Sequence, residues 1–332
     1  MKKFALVSLI VAVVLVLVGS VSMFAVLSSQ NFDLSFLNVN LNGDTNLEFV
    51  TTKYEVDEKF DSVNIDETSA DISIILTKEK NAYVETFCSE NVTYDVAVKG
   101  ETLNIQRKEK NSVSLFSVGT PESYLNVYLP EKDYKDLVVN ATSSDILINT
   151  DLTFENADVE CTSGIIELSS IAKNDVKLHT TSGEIYLSDV ECKTIGVSST
   201  SGTIEIENVK TSGGIDAHTT SGEINIENIF TCKTLNANST SGEVNTYNVV
   251  STDYFSVDTT SGEIELIDCE CENINLKSNS GDISGQLLSS KVFVTNTASG
   301  DVSIDPSAYG DTGKCEVTTT SGDITFSIRD SE

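Results

Sequence analysis

The chain of 332 residues has no tryptophan, three prolines, two arginines (Arg107 and Arg329) and two histidines (His179 and His218). An enzyme acting on polysaccharide needs convergent acids, a base and usually Arg or His near a bound metal. So sparse a supply of cationic and imidazole groups argues against one. Basic side chains are scarce throughout: 21 Lys and Arg face 51 Asp and Glu, a formal charge of −30. A field of that sign repels phosphate, which argues against nucleic acid and anionic lipid headgroups as partners and favours cations and basic molecules. The chain is not a disordered acidic tail either, because 39% of it is apolar and rich in β-branched residues, a composition suited to strands.

Only one long apolar run occurs, FALVSLIVAVVLVLVGSVSMFAVL at 4–27, and it carries no charge. It is long enough to cross a bilayer at ~20 residues per helical span. A cleaved signal peptide has a shorter apolar region of roughly 7–15 residues and a clear small-x-small site. Residues 1–27 are therefore predicted to be a single-pass membrane anchor. Lys2 and Lys3 would stay cytoplasmic and residues 28–332 would be extracellular, or secreted if the segment is cleaved.

Seven cysteines follow, an odd number: Cys88, Cys161, Cys192, Cys232, Cys269, Cys271 and Cys315. A dense disulfide framework is a poor reading of that count. The lone C-x-C of Cys269 and Cys271 lacks a partner pair for a metal. Mostly free thiols are expected, with Cys192, Cys232 and Cys271 at nearly equivalent loop positions in alternate repeats.

The chain is dominated by repetition. HTTSGEIYL at 179–187 returns as HTTSGEINI at 218–226, and the motif glycine recurs at Gly164, Gly183, Gly202, Gly222, Gly242, Gly262, Gly281, Gly300 and Gly322, with TSSDI at 142–146 as a degenerate earlier copy. The intervals are 19, 19, 20, 20, 20, 19, 19 and 22 residues. A period near 20 matches one turn of a solenoid whose strands lie parallel on those of the turn before. Two residues after each glycine stands an Ile or Val, from Ile166 to Ile324, opening an alternating half-buried strand. A second alternating strand precedes the glycine. Its inward parity leads through a hydroxyl column (Thr180, Ser199, Thr219, Ser239, Thr259, Ser278) to an unbroken serine column at Ser163, Ser182, Ser201 and onwards. Both columns are expected to face the interior, with the glycine turning the corner and the hydroxyls satisfying backbone groups there.

Residues 58–135 read as an irregular β region capping regular repeats over 136–332, after a linker at 28–57. FDSVNIDETSADISI, then VKGETLNI, then LNVYLPEKDYKDLVVNATSSDILI, then serial TSGEI or TSGDI copies resemble, in that order, the DUF4097 family of bacterial envelope proteins over roughly 55–330. The resemblance implies a right-handed parallel β-solenoid (a β-helix) that is exported or membrane-anchored, with adhesion as the proposed role. It supplies no catalytic residue or cofactor. Some relatives are associated with sensing envelope stress, which makes a module binding cationic peptides the alternative to an adhesin.

One column has possible chemistry of its own. Immediately after the glycine stand Glu184, Glu223, Glu243, Glu263, Asp282, Asp301 and Asp323, interrupted by Thr203. Carboxylates stacked ~5 Å apart repel by about 0.8 kcal/mol per pair even in water, so this strip is the candidate for weak Ca²⁺ or cationic-ligand binding. Its bland alternative is a solvated face that keeps the protein soluble. His179 and His218, two turns apart with Ser198 between them, read as a variable surface column. The open ends of a solenoid are sticky edges, so end-to-end self-association is also expected.

Overall fold

A computed structural model describes residues 48–109 and 122–329. The expected anchor lies outside the described residues, among which no helix is long and apolar enough to cross a membrane. The described chain is an all-β parallel solenoid of about ten turns. Its only helical element is the single 3₁₀ turn Pro306–Ala308.

Each regular turn has three faces. The first is the strand before the Ser-Gly pair, such as Thr194–Ser199. The second follows it, such as Ile204–Glu207, and the third is a short segment such as Lys210–Thr211. Like positions stack in register: Ile185 lies on Ile204, Ile204 on Ile224, Ile224 on Val244 and Val244 on Ile264. All five are at most 1% exposed. Burying one such side chain contributes ~1.5–3 kcal/mol, and the stack repeats that contribution on every turn. On the third face Val190, Val209, Ile229, Val249 and Cys269 point inwards.

The corner between the second and third faces is made by Asp189, Asn208, Asn228, Asn248 and Asp268, all with φ between 52° and 56°. Asn and Asp tolerate this left-handed conformation because their short polar side chains bond locally. Asn248 donates to Asn228 Oδ1 at 2.9 Å, tying two successive corners together. The spacing of this column was visible in the sequence. It escapes the strand-pattern reading because it alternates with nothing.

Three expectations need correction. The serine column is not interior. Thr180 is buried, whereas Ser182, Ser201, Ser221 and their successors are exposed, because the chain leaves the first face one residue after the hydroxyl position. Cys192, Cys232 and Cys271 are not in surface loops but buried on the third face, alternating with Thr211 and Ser251. All seven thiols are free and buried.

The third correction concerns the order of the last turns. The second-face strand Ile283–Leu287 pairs with Ile324–Ile328, which in turn pairs with Val302–Ile304. On the first face Asn273–Ser278 pairs with Tyr309–Ser321, which pairs with Lys291–Ser299. The chain thus skips a level, builds the outermost rung with 291–304, and returns to fill the gap with 309–328. Gly285 supplies a physical reason: a Cβ there would lie 2.3 Å from the Phe326 ring, so this glycine leaves the space that Phe326 fills. Ile304, at the matching position of the other rung, would leave much of it empty. Val302, expected in the buried column, is 45% exposed because its rung ends the stack.

At the opposite end the parallel stack begins with Ser62–Asp66 and Asp71–Thr77, which pair with Asp133–Ser143 and with Ile146 and Leu147. Between these rungs the chain makes an excursion. The hairpin Val92–Lys99 with Thr102–Glu109 extends the first face; on the second, Tyr124–Pro130 adds to Asp71–Thr77 in parallel and is followed by Ala82–Ser89 and Phe49–Val56 in antiparallel pairs.

Candidate functional site

The recurring Ser-Gly motif builds the corner between the first and second faces. A Cβ at Gly202 would lie 1.8 Å from the carbonyl oxygen of Gly183, and one at Gly222 would lie 2.0 Å from that of Gly202, so only glycine lets successive corners approach. The buried hydroxyls bridge the same contact. Ser278 Oγ donates to the carbonyl of Gly262 at 3.1 Å, Ser239 to Gly222 at 3.3 Å and Thr319 to Gly281 at 3.1 Å. As expected, this part of the motif is structural.

In the first rung the hydroxyl position is taken by Glu67, whose side chain is fully buried. Its carboxylate accepts from the backbone N–H groups of Thr68, Ser69 and Ala70, from Tyr94 Oη at 2.7 Å and from Arg107 Nη1 at 2.9 Å. Burial, then the Glu67 charge, pushes the Tyr94 phenol up. This network joins the capping hairpin to the first corner. The other arginine, Arg329, pairs with Asp268 at 3.1 Å.

The acidic strip lies where the sequence placed it, on the outside of the corner. Glu184, Glu243, Glu263, Asp282, Asp301 and Asp323 are exposed and Glu223 is half-buried. Its stacking order ends Asp282, Asp323, Asp301, following the swapped rungs. The aspartates are anchored: Asp282 Oδ1 accepts from the Asp323 N–H and Asp323 Oδ1 from the Asp301 N–H, both at 2.7 Å. Glutamates bond sideways instead. Glu184 accepts from Tyr186 Oη at 2.6 Å, which pushes that phenol up to about 12, and Glu223 accepts from Asn245 Nδ2 at 3.0 Å. Glu205, one step along the same outer face, has its carboxyl pushed up by burial and by the charges of Glu184 and Glu223.

The strip also extends further than the motif alone suggested. Asp145 and Asp71 occupy the same column in the first rungs, where Asp71 Oδ1 accepts from the Asp145 N–H at 3.0 Å and Asp145 Oδ1 from the Ile165 N–H at 2.9 Å. The signal was present, since SADI and SSDI keep the acid while losing the glycine. Among the described residues no three His, Cys, Asp or Glu side chains gather as a metal cage would require. The strip is thus a line of charge, spaced at ~4.8 Å per rung, and not a chelating loop. On the neighbouring face His179 Nδ1 lies 2.8 Å from Ser198 Oγ, both on open surface.

A family model described as Toastrack DUF4097 matches residues 60–247 and 215–332. No curated protein matches the chain significantly. Among solved structures, a candidate lipid-binding protein from Parabacteroides distasonis aligns at a TM-score of 0.50 and 21% identity over 72% of this chain and 97% of that one. A candidate adhesin from Bacteroides fragilis aligns at 0.41 and 14% over 84% and 97%. A candidate cell adhesion protein from Clostridium sporogenes aligns at 0.23 and 13% over 85% and 100%. At these identities the first of the three supports the fold alone.

Proposed function

We propose that this chain, which belongs to the Toastrack DUF4097 family, is a non-enzymatic binding module of the bacterial cell surface. Its apolar segment 4–27 holds it in the membrane and its solenoid faces outwards. The observation that carries this reading is the outward acidic column, which runs from Asp71 to Asp301, broken at Ile165 and Thr203, on a scaffold of stacked backbone. A fixed line of carboxylates on rigid strands attracts a long basic partner with little ordering cost. Both arginines are committed to ion pairs and the one His–Ser pair lies on open surface, which supports binding without turnover. The exposed rung 291–304 offers a second copy an edge for end-to-end association, and sedimentation of the detergent-solubilised chain as a monomer at every concentration would remove that part.

The test uses intact bacteria expressing the full chain. External protease should remove the solenoid, and the cells should capture a cell-wall polymer, a host glycan or a cationic peptide more strongly than cells lacking the chain. Capture of cationic peptides alone would favour the sensing role over adhesion. Protection from external protease, or no gain in capture across all three classes, would overturn the reading.

A further inference from the structure

The outward column does not stop at Asp71. Tyr124 is its register neighbour on the next strand, and Phe87 is the neighbour of Tyr124. The Phe87 and Tyr124 rings stack with centroids 5.5 Å apart, and Phe49 follows at 5.4 Å from Phe87. All three rings are half-buried on the solvent side of the sheet. Nearby Tyr83 already carries the Lys53 ammonium 3.9 Å from its centroid, so this face of the cap accepts cations on its rings.

Where the column passes from rings to acids, a shallow depression of about 260 Å³ opens at the first corners. Asp71, Glu122 and Asp145 line it together with Ser123, Ser144 and Ser163, and among the described residues no basic side chain borders it. Asp71 and Asp145 each commit one oxygen to a backbone N–H, which leaves the other available. Ser144 stands where later turns have glycine. It is 2% exposed and its Oγ has no hydrogen-bond partner. An unpaired hydroxyl at that depth is costly unless something meets it.

We propose that this end of the column binds a pyranose unit bearing a free amino group, as part of a linear amino-glycan. The C–H face of the sugar lies against the Tyr124 ring, which Phe87 backs from the other side, its ammonium lies among Asp71, Glu122 and Asp145, and a ring hydroxyl reaches Ser144 Oγ once that side chain turns out from its buried position. Aromatic faces are electron-rich and attract both polarised C–H groups and cations. The carboxylates that line the depression select the ammonium. A bare divalent ion fits less well, because the acids do not converge as a cage. The proposal rests on the surface-binding reading and names a site and a ligand class within it.

The experiment is calorimetric titration of the detergent-solubilised full chain with three probes: a glucosamine tetramer, the N-acetylated tetramer with the same ring faces, and spermine, a cation without a ring face. The glucosamine tetramer should bind about ten-fold more tightly than either other probe. Tyr124→Ala and Glu122→Gln should each weaken it about ten-fold. Asp145→Asn, which keeps an oxygen for the Ile165 N–H, should do the same without lowering the unfolding midpoint. Equal affinity for spermine would reduce the effect to the general acidic field, and equal affinity for the N-acetylated tetramer would remove the ammonium contact. Either result overturns the site, as does no binding of the glucosamine tetramer. Polymer capture by intact cells that survives Tyr124→Ala would leave the surface-binding reading standing without this site.

Discussion

At the scale of single residues, one motif carries two unrelated tasks. In HTTSGEIYL, Gly183 and Thr180 belong to the corner, while Glu184 belongs to solvent. Gly222→Ala places a methyl group against the Gly202 carbonyl, and we expect it to cost roughly 2–4 kcal/mol, read as a lower urea midpoint. Gly196→Ala, with nothing within 4 Å of the added Cβ, is the control and should be neutral or stabilising by up to ~1 kcal/mol. For the acidic strip, millimolar Ca²⁺ should raise the thermal midpoint by a few degrees, about 1 kcal/mol for a chain of this size. The pair Glu223→Gln with Glu243→Gln should abolish that gain. A midpoint that ignores calcium would leave the strip as a solvated face. The glycines and acids were readable from spacing, because close approach and repetition leave a compositional trace. Glu67 was not, because its partners Tyr94 and Arg107 come from a hairpin 27 and 40 residues away.

At the scale of elements, alternation identified the strands on either side of the glycine, since one buried face imposes period two. It missed the third face, whose strands are as short as Lys210–Thr211, too short for their alternation to stand out in the sequence. It also could not order the rungs, because every rung carries the same pattern. The swapped order has a direct test. Asn275 neighbours Glu316, which neighbours Val294, all on the outer side of the first face. The double variant Asn275→Cys with Glu316→Cys should therefore oxidise to an intramolecular disulfide, its Cα atoms one rung or ~4.8 Å apart. The double variant Asn275→Cys with Val294→Cys spans two rungs, ~9.6 Å, and should not. The opposite pattern of cross-links would restore stacking in chain order.

At the scale of the whole molecule, burial sets the response to alkali. Desolvation raises the thiols of Cys192 and Cys315 to about 12 and those of Cys232 and Cys269 to about 11, from 9.0. The folded chain then keeps protons that the unfolded chain releases. The resulting stability is fully present below pH 9 and is lost progressively as pH rises through the folded values. We expect the urea midpoint to hold steady from pH 7 to 8.5 and to fall between about pH 9 and 11. Cys192→Ala with Cys232→Ala should make that fall shallower. Native protein should also resist a thiol reagent that labels all seven cysteines in urea. Rapid labelling of the native chain would contradict their burial.

The sequence by itself determined that the chain is a parallel solenoid with a period near 20, a glycine corner and a line of outward acids. Each of these is local or periodic, and a repeat writes local geometry into composition. The tertiary structure alone decided which rung lies on which, where the serines point and what lies beside the first acids. Phe326 selects Gly285 across 41 residues, and Tyr124 reaches Asp71 across 53. Contacts made over such separations depend on the shape of a particular gap, which the repeat pattern does not encode.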